Sequence, residues 1–453
     1  MKKAILLVCI ILSFSNANAQ LPAGDRIIAF QVDMAENNNY DSAYNYALDA
    51  CMQSVHHAFS WKAMEPEPGN ISGPVFDLLD IVNIYHPAFG IKVEYNIPVV
   101  NTVTREVPDD LEEIPFSDPI MIARFKALLD SIFSKLPDVE LSALTIGNES
   151  DIFWGTDEAK YLDFKIFLDS VSVYAKTLYF DMHGTELKIG TTLTHEGLVN
   201  PAISAYCQQL NSDVDVISVT YYGIDQNMMV IPPADVNAEF GELVALYSDT
   251  SKPIYLVECG FPESTVNGSS LELQRQFIKN VFLAWDTFSD NIKYVSFFKT
   301  TDWSQAQVDT LAIYYGLQDN EIFKEFLRTL GLRTYPGDGI NKPAYEQLKC
   351  ELAARDWCAT DCNPVGIEEI NDRKNPFAVF PNPSSDFIII FNNSNDNKSY
   401  DFSIVDLNGR MLYAEKEINS PEYTLNIEFL SPGIYLINFD KTGQSKTLKL
   451  IVK

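Results

Sequence analysis

From about residue 24 onward, hydrophobic and polar positions fall into two alternating patterns. Short runs rich in Val, Ile and aromatic residues occupy 27–32, 55–61, 91–100, 141–146, 187–193, 214–221, 254–257 and 294–298. Several are almost continuously apolar, as strands buried on both faces of a parallel sheet must be. After each run, apolar residues recur at i, i+3, i+4 and i+7, which predicts a helix with one face turned to that sheet. The stripes are Tyr44/Ala47/Leu48/Cys51, Val75/Leu78/Leu79/Val82, Phe125/Leu128/Leu129/Ile132 and Phe164/Phe167/Leu168/Val171. They continue as Ile203/Tyr206/Cys207/Leu210, Phe240/Leu243/Val244/Tyr247, Ile278/Val281/Phe282/Trp285 and Phe323/Phe326/Leu327/Leu330. A further helix is predicted from Pro343 to about Arg355. Eight strands alternating with eight helices is what a closed (β/α)8 barrel requires. An open doubly wound sheet usually begins with a Gly-rich turn, and Val32-Asp33-Met34-Ala35 contains no glycine.

The pattern changes after Cys362. Residues 363–375 are polar and read as a linker. Beyond them, short alternating strands are predicted at 387–391, 403–405, 412–413, 423–427, 434–439 and 447–452. Asn408-Gly409, Ser431-Pro432-Gly433 and Thr442-Gly443 supply the turn signals between them. The chain is therefore expected to carry a barrel over 20–362 and a small antiparallel β-sandwich over 376–453.

The first nineteen residues read as a signal peptide, with Lys2 and Lys3, an apolar run over 4–14, and Ala17-Asn18-Ala19 before Gln20. No later run is long and apolar enough to predict a membrane helix. Acidic residues number 62 against 33 basic, a formal charge of −29, and that field repels a phosphate-rich ligand. Nucleic acid is thus excluded as a partner. Export also sets the reading of Cys51, Cys207, Cys259, Cys350, Cys358 and Cys362. With no His near the last three, disulfides rather than a metal are expected to staple the end of the barrel there, with the pairing open.

Barrels carry their chemistry at the C-terminal ends of the strands, where the βα loops begin. Two glutamates fall there. Glu149 follows the fourth predicted strand in Leu144-Thr145-Ile146-Gly147-Asn148-Glu149, and Glu258 ends the seventh in Ile254-Tyr255-Leu256-Val257-Glu258-Cys259-Gly260. A lone glutamate at a strand end is usually a solvated loop carboxylate. Two of them, on strands four and seven of eight, point to paired acid–base work.

With these motifs, residues 24–355 resemble the large clan of retaining (β/α)8 glycosidases that includes β-mannanases, β-1,4-galactanases, xylanases and cellulases. Gly147-Asn148-Glu149 and the 252–260 segment carry the resemblance. It is extended by the aromatic end of 214–222, by WKAMEPEPG at 61–69, and by Tyr315-Gly316-Leu317 followed by Lys342-Pro343-Ala344-Tyr345. The resemblance implies that Glu149 is the general acid/base and Glu258 the nucleophile, about 5–5.5 Å apart across a β-glycosidic bond. It implies a hydrogen bond to Glu258 from Tyr221 or Tyr222, and Asn148 bound to the sugar 2-hydroxyl. It also places a stacking Trp just beyond strand eight, where this chain has Trp303.

Trp61 and Trp154 follow strands two and four and either extend the cleft or pack in the core. His57 and His195 either line the site or are simply hydrogen-bonded side chains. Many clan members carry an Arg near the end of strand two; residues 55–61 hold none, and a His is the available stand-in. The expectation is an endo-acting glycoside hydrolase of β-linked polysaccharide that needs no metal or cofactor. The rivals are a non-catalytic glycan-binding barrel and a surface adhesin or scaffold, which would lack an open aromatic cleft.

The C-terminal segment resembles the type A sorting domain of the type IX secretion system. Phe380-Pro381-Asn382-Pro383, Val405-Asp406-Leu407-Asn408-Gly409, Leu430-Ser431-Pro432-Gly433-Ile434-Tyr435 and 446–453 carry this resemblance. It implies that the type IX machinery is a partner, and that the chain passes through the periplasm of a Gram-negative bacterium to the surface or beyond. A carbohydrate-binding sandwich is the alternative, and the segment holds no Trp for it.

Overall fold

The computed structural model describes residues 20–33, 39–335, 339–360, 362, 377–382, 384–392, 398–406, 410–441 and 444–453. The expected signal peptide and the 363–375 linker lie outside the described residues, as do the Asn408-Gly409 and Thr442-Gly443 turn signals.

The first unit contains β1 (Ile27–Phe30), β2 (Ser54–Ala58), β3 (Lys92–Asn101), β4 (Thr104–Arg105) and β5 (Leu141–Asn148). It continues with β6 (Ile189–Gly190), β7 (Thr192–Thr194), β8 (Ile217–Tyr222), β9 (Ile254–Gly260) and β10 (Ile292–Phe297). Pairing runs β6-β5-β3-β2-β1-β10-β9-β8-β7, and β4 folds back antiparallel on β3 as a hairpin at the barrel rim. β6 and β7 are two halves of one strand interrupted at Thr191, so the sheet closes on eight parallel strands.

Around it lie α1 (Tyr40–Asp49), α2 (Trp61–Met64), α3 (Pro74–Ala88), α4 (Pro119–Lys135), α5 (Ser150–Trp154), α6 (Glu158–His183) and α7 (His195–Val199). They are followed by α8 (Ser204–Leu210), α9 (Val236–Leu246), α10 (Leu271–Thr287), α11 (Gln305–Tyr314), α12 (Glu321–Arg328) and α13 (Pro343–Ala353). The eight apolar stripes fall on α1, α3, α4, α6, α8, α9, α10 and α12. The stripe on α3 is rotated from expectation: Leu79, Val82 and His86 are buried, whereas Leu78 is 41% exposed. α2, α5, α7 and α11 are short additions to the βα loops, and they are what shapes the barrel mouth.

Inside the barrel, side chains form layers. The lower layer is apolar and aromatic: Ala29, Ala143, Val216, Tyr255, Val257 and Tyr294. Above it the inward positions turn polar. Asn96 Nδ2 donates to Thr145 Oγ1 at 2.8 Å and Thr192 Oγ1 at 3.1 Å, and Thr192 and Ser218 share a bond of 2.9 Å. These partners satisfy groups that would otherwise be costly to bury. The polar layer is the floor of the mouth.

Disulfides join Cys51 to Cys358 and Cys350 to Cys362, while Cys207 and Cys259 are buried free thiols. Cys51, just after α1, thus ties the start of the barrel to the segment that follows its last helix, 307 residues on. The second unit pairs β11 (Phe377–Phe380), β12 (Phe387–Asn392) and β15 (Glu422–Asn426) in one antiparallel sheet. β13 (Tyr400–Val405), β14 (Met411–Ile418), β16 (Gly433–Lys441) and β17 (Gln444–Val452) form the other. Ile388, Ile390, Phe402, Ile404, Ile437, Phe439 and Leu450 share one core between the sheets.

Removing the long crosslink frees the unfolded chain more than the native one. The Cys51→Ala/Cys358→Ala double variant is expected to lose about 2–4 kcal/mol and unfold at a lower temperature. Calorimetry under non-reducing conditions checks this; an unchanged Tm would mean that the crosslink contributes no stability.

Candidate active site

Both glutamates reach the mouth because the backbone bends at the ends of β5 and β9. Gly147 closes the inward run of β5 at φ +85°, and a Cβ there would sit 2.7 Å from Ser150 Oγ. Glu149 itself is left-handed, φ 47°, between β5 and α5. Its Oε1 accepts from Thr220 Oγ1 at 2.8 Å and its Oε2 from Thr102 Oγ1 at 2.7 Å. On β9 the register shifts against both neighbours near Glu258, a bulge that re-aims the side chain. Glu258 Oε2 accepts from the Tyr222 hydroxyl at 2.6 Å. Gly260 makes room for that tyrosine, since a Cβ there would lie 2.8 Å from Tyr222 Cε1 and 2.7 Å from the Phe298 carbonyl.

Below Glu258 lies an ion pair in the polar layer. His56 Nδ1 binds Glu94 Oε2, with side-chain exposures of only 1% and 0%. Glu94 Oε1 accepts from Thr145 Oγ1 at 2.8 Å. The other ring nitrogen, His56 Nε2, has no hydrogen-bond partner among the described residues and lies 4.0 Å from Glu258 Oε1. Burial works against a charge on His56, but Glu94 and then Glu258 outweigh it, so its pKa is raised. Strand two thus brings to the side of Glu258 a His with a carboxylate behind it.

Burial also raises the pKa of both mouth carboxyls. Glu258 is pushed up to about 7 by burial and by the nearby Glu149 charge, against the opposing pull of His56 and Tyr222. Glu149 is raised by burial against its bonds to Thr102 and Thr220. Two acids that sense each other release their protons as a pair. Of the two, Glu258 alone faces a cationic partner among the described residues, and that partner favours its charged form.

The remaining residues singled out from the sequence separate cleanly. Trp303 is half-buried beside the mouth, with Nε1 donating to Asp33 Oδ2 at 2.9 Å and Lys299 Nζ 3.7 Å from its ring centroid. Asn148 Nδ2 donates to Asn101 Oδ1 at 3.0 Å, while its own buried Oδ1 has no partner among the described residues. Strand alternation turns the neighbours of the site residues outward. Tyr221 hydrogen-bonds Glu239 and packs on Phe240, and His195 Nε2 donates to the Glu239 carbonyl at 3.2 Å. His57 shares a 2.8 Å bond with His86, which bonds the Tyr44 hydroxyl at 3.0 Å, behind the barrel wall. Trp61 is wholly buried on Phe125, and Trp154 packs on Tyr161 and Phe164 at 3% exposure. None of these five presents a free face to the two carboxyls.

Sequence reasoning missed His56, Glu94, Thr102, Thr220 and Tyr315. The period of two was the available signal for His56 and Thr220: both lie an even number of residues from an inward neighbour on the same strand, Ser54 and Tyr222 respectively.

The two units have relatives of different kinds. Residues 378–453 match the family model of the secretion system C-terminal sorting domain. No curated protein matches the chain in sequence. In structure, the chain is similar to a glycoside hydrolase of family 5, subfamily 18, from Bifidobacterium longum subsp. longum, solved with Manβ1-4GlcNAc. The TM-score is 0.54 at 15% identity, covering 80% of this chain and 81% of that one. A second structure of that subfamily from the same subspecies gives 0.54 at 16% identity, covering 74% and 80%. An exo-β-1,4-mannosidase from Opitutaceae bacterium strain TAV5 gives 0.53 at 15% identity, covering 73% of this chain and 60% of that one. The barrel shares the (β/α)8 fold of these glycoside hydrolases.

In this fold the Tyr222 hydroxyl is a donor to the charged form of Glu258, so Tyr222→Phe is expected to raise that carboxyl's pKa further. Carboxyl-carbon NMR titration of wild type and variant checks the sign; an unchanged or lower value would mean that the bond does not favour the anion.

Proposed function

We propose that the barrel is a retaining glycoside hydrolase of β-linked sugars, carried out of the cell by its C-terminal sorting domain. The observation that supports this best is the pair of half-buried, mutually interacting carboxyls at the ends of β5 and β9, only one of which has a cationic neighbour among the described residues.

The chemistry follows from that asymmetry. Glu149 gives its proton to the glycosidic oxygen as the C1–O bond breaks, and Glu258 attacks C1 to form a glycosyl ester. Glu149, now ionised, takes a proton from water, whose oxygen attacks C1 and expels Glu258. The net change is hydrolysis with the anomer retained, and both carboxyls return to their starting states. His56 and Glu94 hold Glu258 charged in the resting site, Tyr222 orients it, and Asn148 serves the 2-hydroxyl. Trp303 offers the apolar face beside the mouth.

The match over 378–453 supports passage through the type IX secretion system to the cell surface or the medium. β-Mannosides are the first substrates to test, since one similar structure holds Manβ1-4GlcNAc and another is an exo-β-1,4-mannosidase.

Glu258→Ala is expected to keep the fold and lose all turnover of aryl β-glycosides, and full activity in it would remove the mechanism. Glu149→Ala is expected to lose about 10²–10⁴-fold on substrates with poor leaving groups. Azide should restore part of its turnover on activated substrates as the β-glycosyl azide, identified by NMR. No azide adduct in any activated reaction would count against Glu149 as the acid/base.

A further inference from the structure

The loop after β10 does not simply return to α13. It builds α11 and α12, with a core of its own formed by Val308, Ala312, Phe323, Phe326 and Leu327. Ser304 and Gln307 close a reciprocal capping box at the start of α11, and Phe298, Tyr222 and Trp303 pack against the same core. This excursion is anchored to the site floor, and the end of α11 crosses the mouth to the β3–β4 hairpin. The Tyr314 hydroxyl donates to Glu106 Oε1 at 2.7 Å and also meets Thr104 and Asn101. The next residue, Tyr315, hydrogen-bonds Thr102 and senses the charges of both Glu149 and Glu258. The two tyrosines thus rest on the residues that hold Glu149 and Asn148.

The ring order of strands shows what this crossing does. The carboxyls stand on β5 and β9, which divide the mouth into a β6–β8 side and a side made of β10, β1, β2 and β3. A polysaccharide threading between the two carboxyls has to leave over both sides. A bridge from the β10 excursion to the β3 hairpin lies across the second exit. In keeping with a narrowed mouth, the Glu258 side chain is only 13% exposed. An open groove for internal cutting, which the sequence led us to expect, would require that exit to be free.

Building on the glycosidase reading above, we propose that the Tyr314–Tyr315 strap turns the groove into a pocket, so that the enzyme removes units from a chain end rather than cutting inside the chain. Tyr314 and Glu106 are then determinants of specificity, outside the acid–base machinery.

The test uses the full-length secreted protein with aryl β-monosaccharides and β-1,4-linked oligosaccharides labelled at the reducing end, read by product length in the first turnovers. Wild type is expected to shorten every oligosaccharide from one end only. Glu106→Ala, a rim change that leaves Thr102 and Asn101 in place, should raise the ratio of internal to terminal cuts on the order of tenfold, the scale of a single pocket contact. Tyr314→Ala should raise it further; where that variant does not fold, Glu106→Ala alone decides the matter. Internal cuts by wild type from the outset overturn the proposal and leave the glycosidase reading intact. An unchanged cutting pattern in Glu106→Ala overturns the assignment to the strap. A protein inert to every glycoside, the aryl ones included, overturns the glycosidase reading and this inference with it.

Discussion

Two like charges cannot both persist in a buried space. At an effective dielectric of about 20, unit charges a few ångströms apart repel by roughly 3–4 kcal/mol, well above the worth of one pKa unit. Glu149 and Glu258 sit under that constraint at one barrel mouth, and the surrounding residues decide which of them gives way. Glu149 is met by the hydroxyls of Thr102 and Thr220, which donate to it but bring no charge. Glu258 is met by a phenol and by an imidazole held against Glu94, both of which favour the anion. One proton placed on one side is what double displacement needs at its start.

The polar layer beneath the mouth makes sense only in that light. A buried His–Glu pair is a weak source of stability, and apolar side chains of similar volume would serve the core at least as well. Just below, the barrel does what stability asks, with Ala29, Val216, Val257 and two stacked tyrosines. The change from apolar to ionic occurs within one layer, on the side where the carboxyls stand. Its cost is borne where the field is used.

Most of the fold was legible in the sequence because strands buried on both faces and amphipathic helices have different periods. All eight strands could be read, although the stripe on α3 was misphased and the eighth stripe, on α12, packs in the core of the β10 excursion rather than on the sheet; the strand-end glutamates followed from where barrels keep their chemistry. Less of the site was legible, for one repeated reason: which face a side chain takes depends on strand phase, and phase was not resolved within a run. His56 and His57 are adjacent in sequence, yet one faces Glu258 and the other faces His86; Tyr221 and Tyr222 divide in the same way. Trp61 and Trp154 follow strand ends as cleft residues do, but α4 and α6 bring Phe125, Phe164 and Tyr161 over them. The pairing of Cys51 with Cys358 needs the closed barrel, which alone brings residues 307 positions apart to one place.

The strap and the electrostatics are one arrangement seen from two sides. Tyr315 lies close enough to both carboxyls to feel their charge, and it binds the threonine that holds Glu149. By covering the mouth it removes water, and desolvation is the largest cause raising both acids. An open groove lined with the same residues would hydrate Glu149 and Glu258, and both would drift back toward ordinary carboxylate values. On the pocket reading, one face of the strap, at Tyr314 and Glu106, bears on substrate length, while the other, at Tyr315, shields the two carboxyls from water.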